Sequence, residues 1–226
     1  MLTVEPGLQQ EGLSVAVVVA RGVDNSRTPP ALIAYRRKVG RELADHWKNR
    51  SLSSHPVFQE YERLHRNFGV LDEPAAPEKL LRTVRRNMDL AASSAAVDCY
   101  NLVSIKTLLS IGAHDCARFE SPVALRRTSA ADTFVPLGET TPREVVGEYA
   151  YVEPQGRVIC RLEVLQAEHS KVDVASRDIA FFLQGNAAQE GSQLLKGCWF
   201  LAELIETFCG GSAELVTYLD ARRENP

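Results

Sequence analysis

The densest run of polar side chains lies in a segment, residues 98–115, that otherwise has the pattern of a buried helix and the turn after it. The residues of this segment that could form hydrogen bonds or transfer protons include Asp98, Tyr100, Asn101, Ser104 and His114. A polar group buried without a partner costs about 1–3 kcal/mol, so a helix that only fills a core needs few of them. The pattern therefore indicates either a satisfied internal network or the floor of a binding site.

These groups are suited to hydrogen bonding and proton transfer. Asn101 and Ser104 share one helix face, and Tyr100 borders that face. His114 beside Asp115 has the residue types of a general base and an orienting carboxylate, although adjacent side chains usually point apart. A structural role for each residue, such as helix capping by Asp98, stays open as the alternative.

No motif for nucleophilic or cofactor chemistry is present. The sequence has no G-x-S-x-G elbow, phosphate-binding loop or dinucleotide fingerprint, and Cys99 is interpreted as a small core residue. The five cysteines are scattered without a C-x-x-C pair, which argues against a disulfide framework and against a zinc site. No metal or organic cofactor is predicted, and a reducing, cytoplasmic location is expected.

Composition limits the classes of function. The chain has 226 residues, of which 45% are hydrophobic, so one sizeable core and a single domain over residues 1–226 are expected. The formal net charge of −3 excludes a protein held on nucleic acid by bulk positive charge, and DNA is not expected as a partner. The apolar run at 15–20 is too short to span a membrane, so no membrane association is predicted.

The elements that position these residues follow from periodicity. Residues 13–20 have the continuous apolar pattern of a strand buried on both faces. Helices are predicted over 31–48 after a Thr28 cap, from 56 to near 69, over 78–91 and over 98–111, and later over 194–208. A hairpin over 148–152 and 157–165 and strands over 179–183 and 214–219 complete the pattern. Helices first and a hairpin-rich sheet later predict a mixed α/β (α+β) sandwich, with the helical portion 28–93 packed on it.

One helix carries a cationic stripe. Lys79, Arg82 and Arg86 recur at i, i+3 and i+7, so they lie on one helix face. This pattern is typical of a solvated helix face, and contact with RNA phosphates is the alternative.

Four segments resemble a known family. They are 98–106, then 112–115, then 134–138 with 147–151, and finally 158–161 with 168–172, ending near 184–185. In this order they resemble the B3/B4 domain of the phenylalanyl-tRNA synthetase beta subunit in a freestanding form, over roughly residues 95–210. The resemblance implies a B3/B4-like sandwich of β-sheet with flanking helices.

The resemblance also implies a function. The expected partner is an aminoacylated tRNA or its acceptor end, with a free amino acid as a further ligand, and the expected reaction is hydrolysis of a mischarged aminoacyl ester in trans. Because the ester is activated, a positioned water and oxyanion donors suffice. The catalytic candidates are Asn101, His114 and Glu168, and the substrate-binding candidates are Tyr100, Ser104, His169 and Ser170.

One departure from the family affects the mechanism. The carboxylate of the synthetase editing site falls here among Ala180, Phe181 and Phe182, so Glu168 must replace it or the reaction must proceed without it. Two alternatives of other classes remain open. One is a non-catalytic binding module for an amino acid, an aminoacyl adenosine or a tRNA end, and the other is a protein–protein adaptor that keeps the fold without the site.

Overall fold

The structure is a computed structural model that describes residues 1–8, 10–71 and 73–220. Its helices are α1 (Pro30–Trp47), α2 (Pro56–Asn67), α3 (Ala76–Asn87), α4 (Ala95–Thr107) and α5 (Gln193–Cys209). Its strands are β1 (Leu2–Val4), β2 (Ser14–Arg21), β3 (Ser110–Asp115), β4 (Val123–Arg127), β5 (Tyr149–Val152), β6 (Val158–Arg161), β7 (Leu165–Gln166), β8 (Ile179–Gly185) and β9 (Ser212–Leu219). The predicted mixed α/β class is confirmed. No helix among the described residues combines the length and apolar character needed to cross a membrane.

The strands form two sheets. One has five strands in the order β1-β4-β5-β6-β7, and the other has four in the order β3-β8-β2-β9. The four-stranded sheet lies between the helices and the five-stranded sheet, so the molecule has three layers and two apolar interfaces. This is a common solution for burying both faces of a sheet.

Strand β2 explains why its sequence is apolar throughout. Ala16, Val18 and Ala20 belong to the core shared with the helices. The alternate residues, Val15 and its neighbours at 17 and 19, belong to the core between the two sheets. Since successive side chains of a strand point to opposite faces, a strand between two layers must be apolar at every position. The predicted strand buried on both faces is confirmed.

The segment after α4 corrects a prediction. The helix expected over 98–111 ends at Thr107, where Leu108 follows with a left-handed backbone (φ 59°). Residues 110–115 form strand β3, so Gly112 and His114 lie on a strand and not in a loop after a helix. The apolar run 108–111 fits a helix or a strand equally well, and pairing with β8 decides the outcome.

Two helix boundaries also differ from the predictions. Helix α3 ends at Asn87, short of residue 91, because Met88 adopts a left-handed backbone (φ 56°). Helix α1 begins at Pro30 as expected but has no side-chain cap, and the Thr28 hydroxyl donates to the Ser93 carbonyl at 3.4 Å.

Buried charge ties the helical layer together. Arg36 on α1 pairs with Asp98 on α4 at 2.6 Å, with both side chains almost fully buried. The second Asp98 oxygen accepts the Ser93 backbone N–H at 3.1 Å, so this carboxylate also stabilises the start of α4. Asp98 therefore has a structural role. Of the two interpretations of the polar segment, it supports an internal hydrogen-bond network and not a binding site.

Candidate active site

The segment 168–171 forms a loop between β7 and β8, as predicted, and it borders an open cleft. The cleft has a volume of about 410 Å³ and is lined by Thr133, Val135, Glu139, Thr140, Arg157, Glu168 and His169. We call it the loop cleft. A concave site with a few convergent polar groups is the usual location of binding and catalysis.

The central feature of the loop cleft is a histidine held beside a buried carboxylate. His169 Nε2 lies 3.2 Å from Glu153 Oε2, and the Glu153 side chain has no solvent exposure. Arg157 Nε binds the same carboxylate at 2.8 Å, and the Glu120 backbone N–H donates to its other oxygen at 2.6 Å. Glu153 is therefore fixed on several sides and lies close enough to stabilise a positive charge on the imidazole, although His169 Nε2 and Glu153 Oε2 do not form a well-aligned hydrogen bond.

The protonation state of His169 suits a base. Burial lowers the pKa of His169 below its usual 6.5, Glu153 opposes this effect, and Arg157 adds to it. The imidazole is neutral at pH 7 as a result. In a neutral imidazole one ring nitrogen carries the proton, and the lone pair of the other can accept one.

Glu168 has a different electrostatic environment. Its carboxylate accepts a charge-assisted bond from Lys171 and the Gly138 backbone N–H, the latter at 2.9 Å. These two contacts hold the pKa of Glu168 below its usual value. An ionised carboxylate stabilised in this way is a weak base and a good binding partner for a cation.

A second polar group lies beneath the loop. His114 on β3 is fully buried between the sheets, and its Nδ1 is 2.9 Å from Ser170 Oγ, which is also buried. This contact holds the 168–171 loop against the four-stranded sheet. Burial lowers the pKa of His114 to about 3, with a further contribution from His169.

A match to known proteins identifies the family of this chain. Residues 68–193 match the family model of the B3/4 domain, which is more than half of the chain. The chain belongs to the B3/4 domain family.

This B3/4 domain is also similar to part of a larger protein. Among solved structures, the chain matches an N-terminal fragment of the phenylalanyl-tRNA synthetase beta subunit from Pyrococcus horikoshii, at 12% sequence identity and a TM-score of 0.46. The alignment covers 94% of this chain and 50% of that chain, so the B3/4 protein spans half the length of the synthetase fragment. Among curated proteins no relative matches.

The predicted site residues of this B3/4 domain fall into separate groups. Glu168 and His169 line the loop cleft, and His114 meets Ser170 just below it. Asn101 is half-buried on α4, and neither it nor His114 is among the described residues that line the cleft. The structure thus brings the loop residues and His114 into one region but does not bring Asn101 to the cleft wall.

Tyr100 and Ser104 have contacts inside the protein. Ser104 is fully buried and donates its hydroxyl to the Leu109 carbonyl at 2.7 Å, which stabilises the turn between α4 and β3. Tyr100 is buried against Phe181, and its side chain hydrogen-bonds with that of Gln166. Burial raises the pKa of Tyr100 to about 12.

The predicted cationic stripe is divided by ion pairs. Lys79 binds Glu73 and the Val164 carbonyl, at 2.6 and 2.9 Å, whereas Arg82 pairs with Glu78 at 2.6 Å. Arg86 is exposed. Arg82 also lines a groove of about 510 Å³ whose cations are Lys48, Arg50, Arg82 and Arg85. We call it the basic groove.

Sequence reasoning missed Glu153 and Arg157. The sequence places Glu153 in the hairpin turn and Arg157 at the start of the strand that follows, because Pro154 and Gly156 are strong turn residues. The turn itself is present, with the Gly156 N–H bonded to the Glu153 carbonyl at 3.0 Å. The sequence near the turn does not show that the Glu153 side chain is buried beneath a loop that begins 15 residues later.

Proposed function

We propose that this B3/4 protein binds the acceptor end of an aminoacylated tRNA and hydrolyses a mischarged aminoacyl ester in trans. The observation that carries the proposal is the neutral His169, beside the buried Glu153 at the edge of an open cleft. The resemblance of the chain to the synthetase beta-subunit domain supplies the substrate class.

In this proposal His169 acts as the general base. It takes a proton from a water molecule, and the water oxygen attacks the ester carbonyl carbon. The bond between that carbon and the ribose oxygen then breaks, and His169 returns the proton to the ribose oxygen. Glu153 stabilises the transient positive charge of the imidazole, as the carboxylate does in hydrolase triads.

Glu168 binds the substrate in this scheme. An aminoacyl ester carries a free α-ammonium group, and the ionised Glu168 at the cleft wall can accept its hydrogen bonds. The sequence-based expectation that Glu168 replaces the missing strand carboxylate of the family thereby becomes a binding role. His114 and Ser170 fix the loop that carries both Glu168 and His169.

The basic groove is the proposed landing site for tRNA phosphates. Four cations line it, and Glu78, which pairs with Arg82, is the acidic residue among the described lining residues. Phosphate contacts position an RNA without reading its sequence. A local basic surface of this kind serves RNA binding even when the net charge of the chain is −3.

Deacylation of a panel of mischarged tRNAs tests the proposal. Wild-type protein should release the amino acid from at least one of them, and His169→Gln should lower kcat by roughly 100-fold or more with the fold intact. Glu153→Gln should also lower kcat because it removes the stabilising charge. His46→Gln is the matched control, since His46 is exposed on α1.

Two outcomes would overturn the enzymatic proposal. If wild type binds a charged tRNA but deacylates none of the panel, the chain is a binding module. If His169→Gln retains full turnover on the preferred substrate, the base lies elsewhere.

A further inference from the structure

A cluster of metal-ligating side chains lies between the two sheets. One nitrogen of His114, the Cys160 sulfur and one carboxyl oxygen of Glu163 all lie within 4.8 Å of one another. Cys160 Sγ is 3.9 Å from Glu163 Oε2, and all three residues are buried. His114 belongs to the four-stranded sheet, whereas Cys160 and Glu163 come from β6 and the turn after it in the five-stranded sheet.

The local backbone is built to place Glu163 inside. Leu162, the residue before it, has φ 45°, a left-handed conformation that costs a non-glycine residue about 1–2 kcal/mol. Opposite the carboxyl group stands Gly112, where an added Cβ would lie 2.1 Å from Glu163 Oε2. A strained turn on one side and a missing side chain on the other therefore admit a carboxyl group into an apolar interior.

The polar atoms of this cluster are poorly satisfied. Among the described residues, His114 Nε2, Glu163 Oε1 and the Tyr151 hydroxyl form no well-aligned hydrogen bond, although each is buried. The other ring nitrogen of His114 is engaged by Ser170. Metal-binding histidines have this arrangement, with one nitrogen fixed by a neighbouring acceptor and the other directed at the ion.

The burial of these three polar groups also favours a bound cation. Burial raises the pKa of Glu163 and of the Cys160 thiol well above their usual values, and the charge of Glu163 further opposes ionisation of Cys160. Polar groups buried between two apolar layers are costly unless they are hydrogen-bonded or coordinate a metal. A divalent ion would balance one thiolate and one carboxylate.

We propose that His114, Cys160 and Glu163 bind one Zn²⁺ ion that ties the two sheets together. Imidazole, thiolate and carboxylate are the three ligand types that proteins use for zinc, whereas calcium and magnesium prefer oxygen ligands alone. The fourth tetrahedral position falls to a water molecule beside the Tyr151 hydroxyl. This site lies between the two sheets and is separate from the loop cleft.

Metal analysis of the tag-free, full-length protein tests the proposal. Protein grown with added zinc and purified without chelators should hold about one zinc per chain by mass spectrometry of the metal. X-ray absorption of the bound zinc should show one sulfur ligand at about 2.3 Å. Cys160→Ser and Glu163→Gln should each retain less than about a tenth of the wild-type zinc, since they remove a ligand.

The matched control is Cys198→Ser, because Cys198 is equally buried but lies on α5 in the helical layer. It should keep the full zinc content. Ser170→Ala removes only the group that orients His114 and should weaken zinc binding by roughly 10–100-fold.

The wild-type measurements decide the question even if a variant fails to fold. Wild type that stays free of zinc, both after growth with zinc and after refolding with excess Zn²⁺, would overturn the proposal. Bound zinc without a sulfur ligand, or full zinc content in Cys160→Ser, would overturn it equally.

Discussion

Replacing Gly112 by alanine should destabilise the protein, and the size of the effect follows from one contact. The new Cβ would lie 2.1 Å from Glu163 Oε2 and 3.3 Å from Glu163 Cδ, with Gln166 Nε2 at 3.4 Å. The carboxyl group is buried beside Cys160 and Tyr151, and the new methyl group would overlap it. The strand or the carboxyl group must therefore shift.

The expected loss is about 2 kcal/mol. Overpacking a core costs about 1–3 kcal/mol, and a contact this short belongs at the upper end of that range. Alanine offsets about 0.5–1 kcal/mol of it, because glycine loses more conformational entropy in a strand. In a Glu163→Ala background the clash is absent, so the same substitution at Gly112 should be neutral or stabilising by about 0.5–1 kcal/mol.

Urea unfolding of the four proteins of this double-mutant cycle, in buffer with a chelator so that metal does not contribute, measures the effect. The coupling between the two positions should be about 2–3 kcal/mol, as expected for residues in direct contact. Our account of how Glu163 enters the interior fails if Gly112→Ala costs the same in both backgrounds, or costs less than about 0.5 kcal/mol in the wild type.

Two further predictions concern stability in acid and RNA binding. Burial lowers the pKa of His65 from 6.5 to about 4, so the stability that depends on its neutral form is complete above pH 6.5 and is lost as the pH falls toward 4. Between pH 6.5 and pH 4 the free energy of unfolding, measured with urea, should fall by up to about 3 kcal/mol less in His65→Gln than in the wild type. An equal fall in the two proteins would contradict this assignment. Charge reversal of Arg82 and Arg85 in the basic groove should weaken tRNA binding and flatten its salt dependence by about two counterions, whereas reversal of the exposed Lys38 should do neither. If the wild type and both charge-reversed proteins showed the same salt dependence of tRNA binding, the basic groove would be an ordinary solvated surface.

The sequence by itself determined most of the secondary structure. Helices α1, α2 and α5 and strands β2, β8 and β9 lie within a few residues of their predicted positions, because each has a long and unambiguous periodicity or an apolar run bounded by turn residues. Strand β3 was taken for the end of a helix, since Leu108–Ile111 suits either structure. Strands β1 and β4 were not predicted, because short strands depend on their partners rather than on their own pattern.

Part of the candidate site was also visible in the sequence. The 168–171 loop and His114 were both selected from their residue types, and the structure places them in contact through Ser170. The position of Glu153 beside His169 was not visible, because it depends on a hairpin turn folding beneath a later loop.

Only the tertiary structure decided which polar groups face one another. Residues 114, 160 and 163 form no sequence motif, and the scattered cysteines argued against zinc. The two sheets pack face to face, and that packing brings a strand of one against a strained turn of the other. Periodicity is a local property that tells which side of an element is buried, whereas the identity of the group on the opposite side is set by the packing of elements distant in sequence.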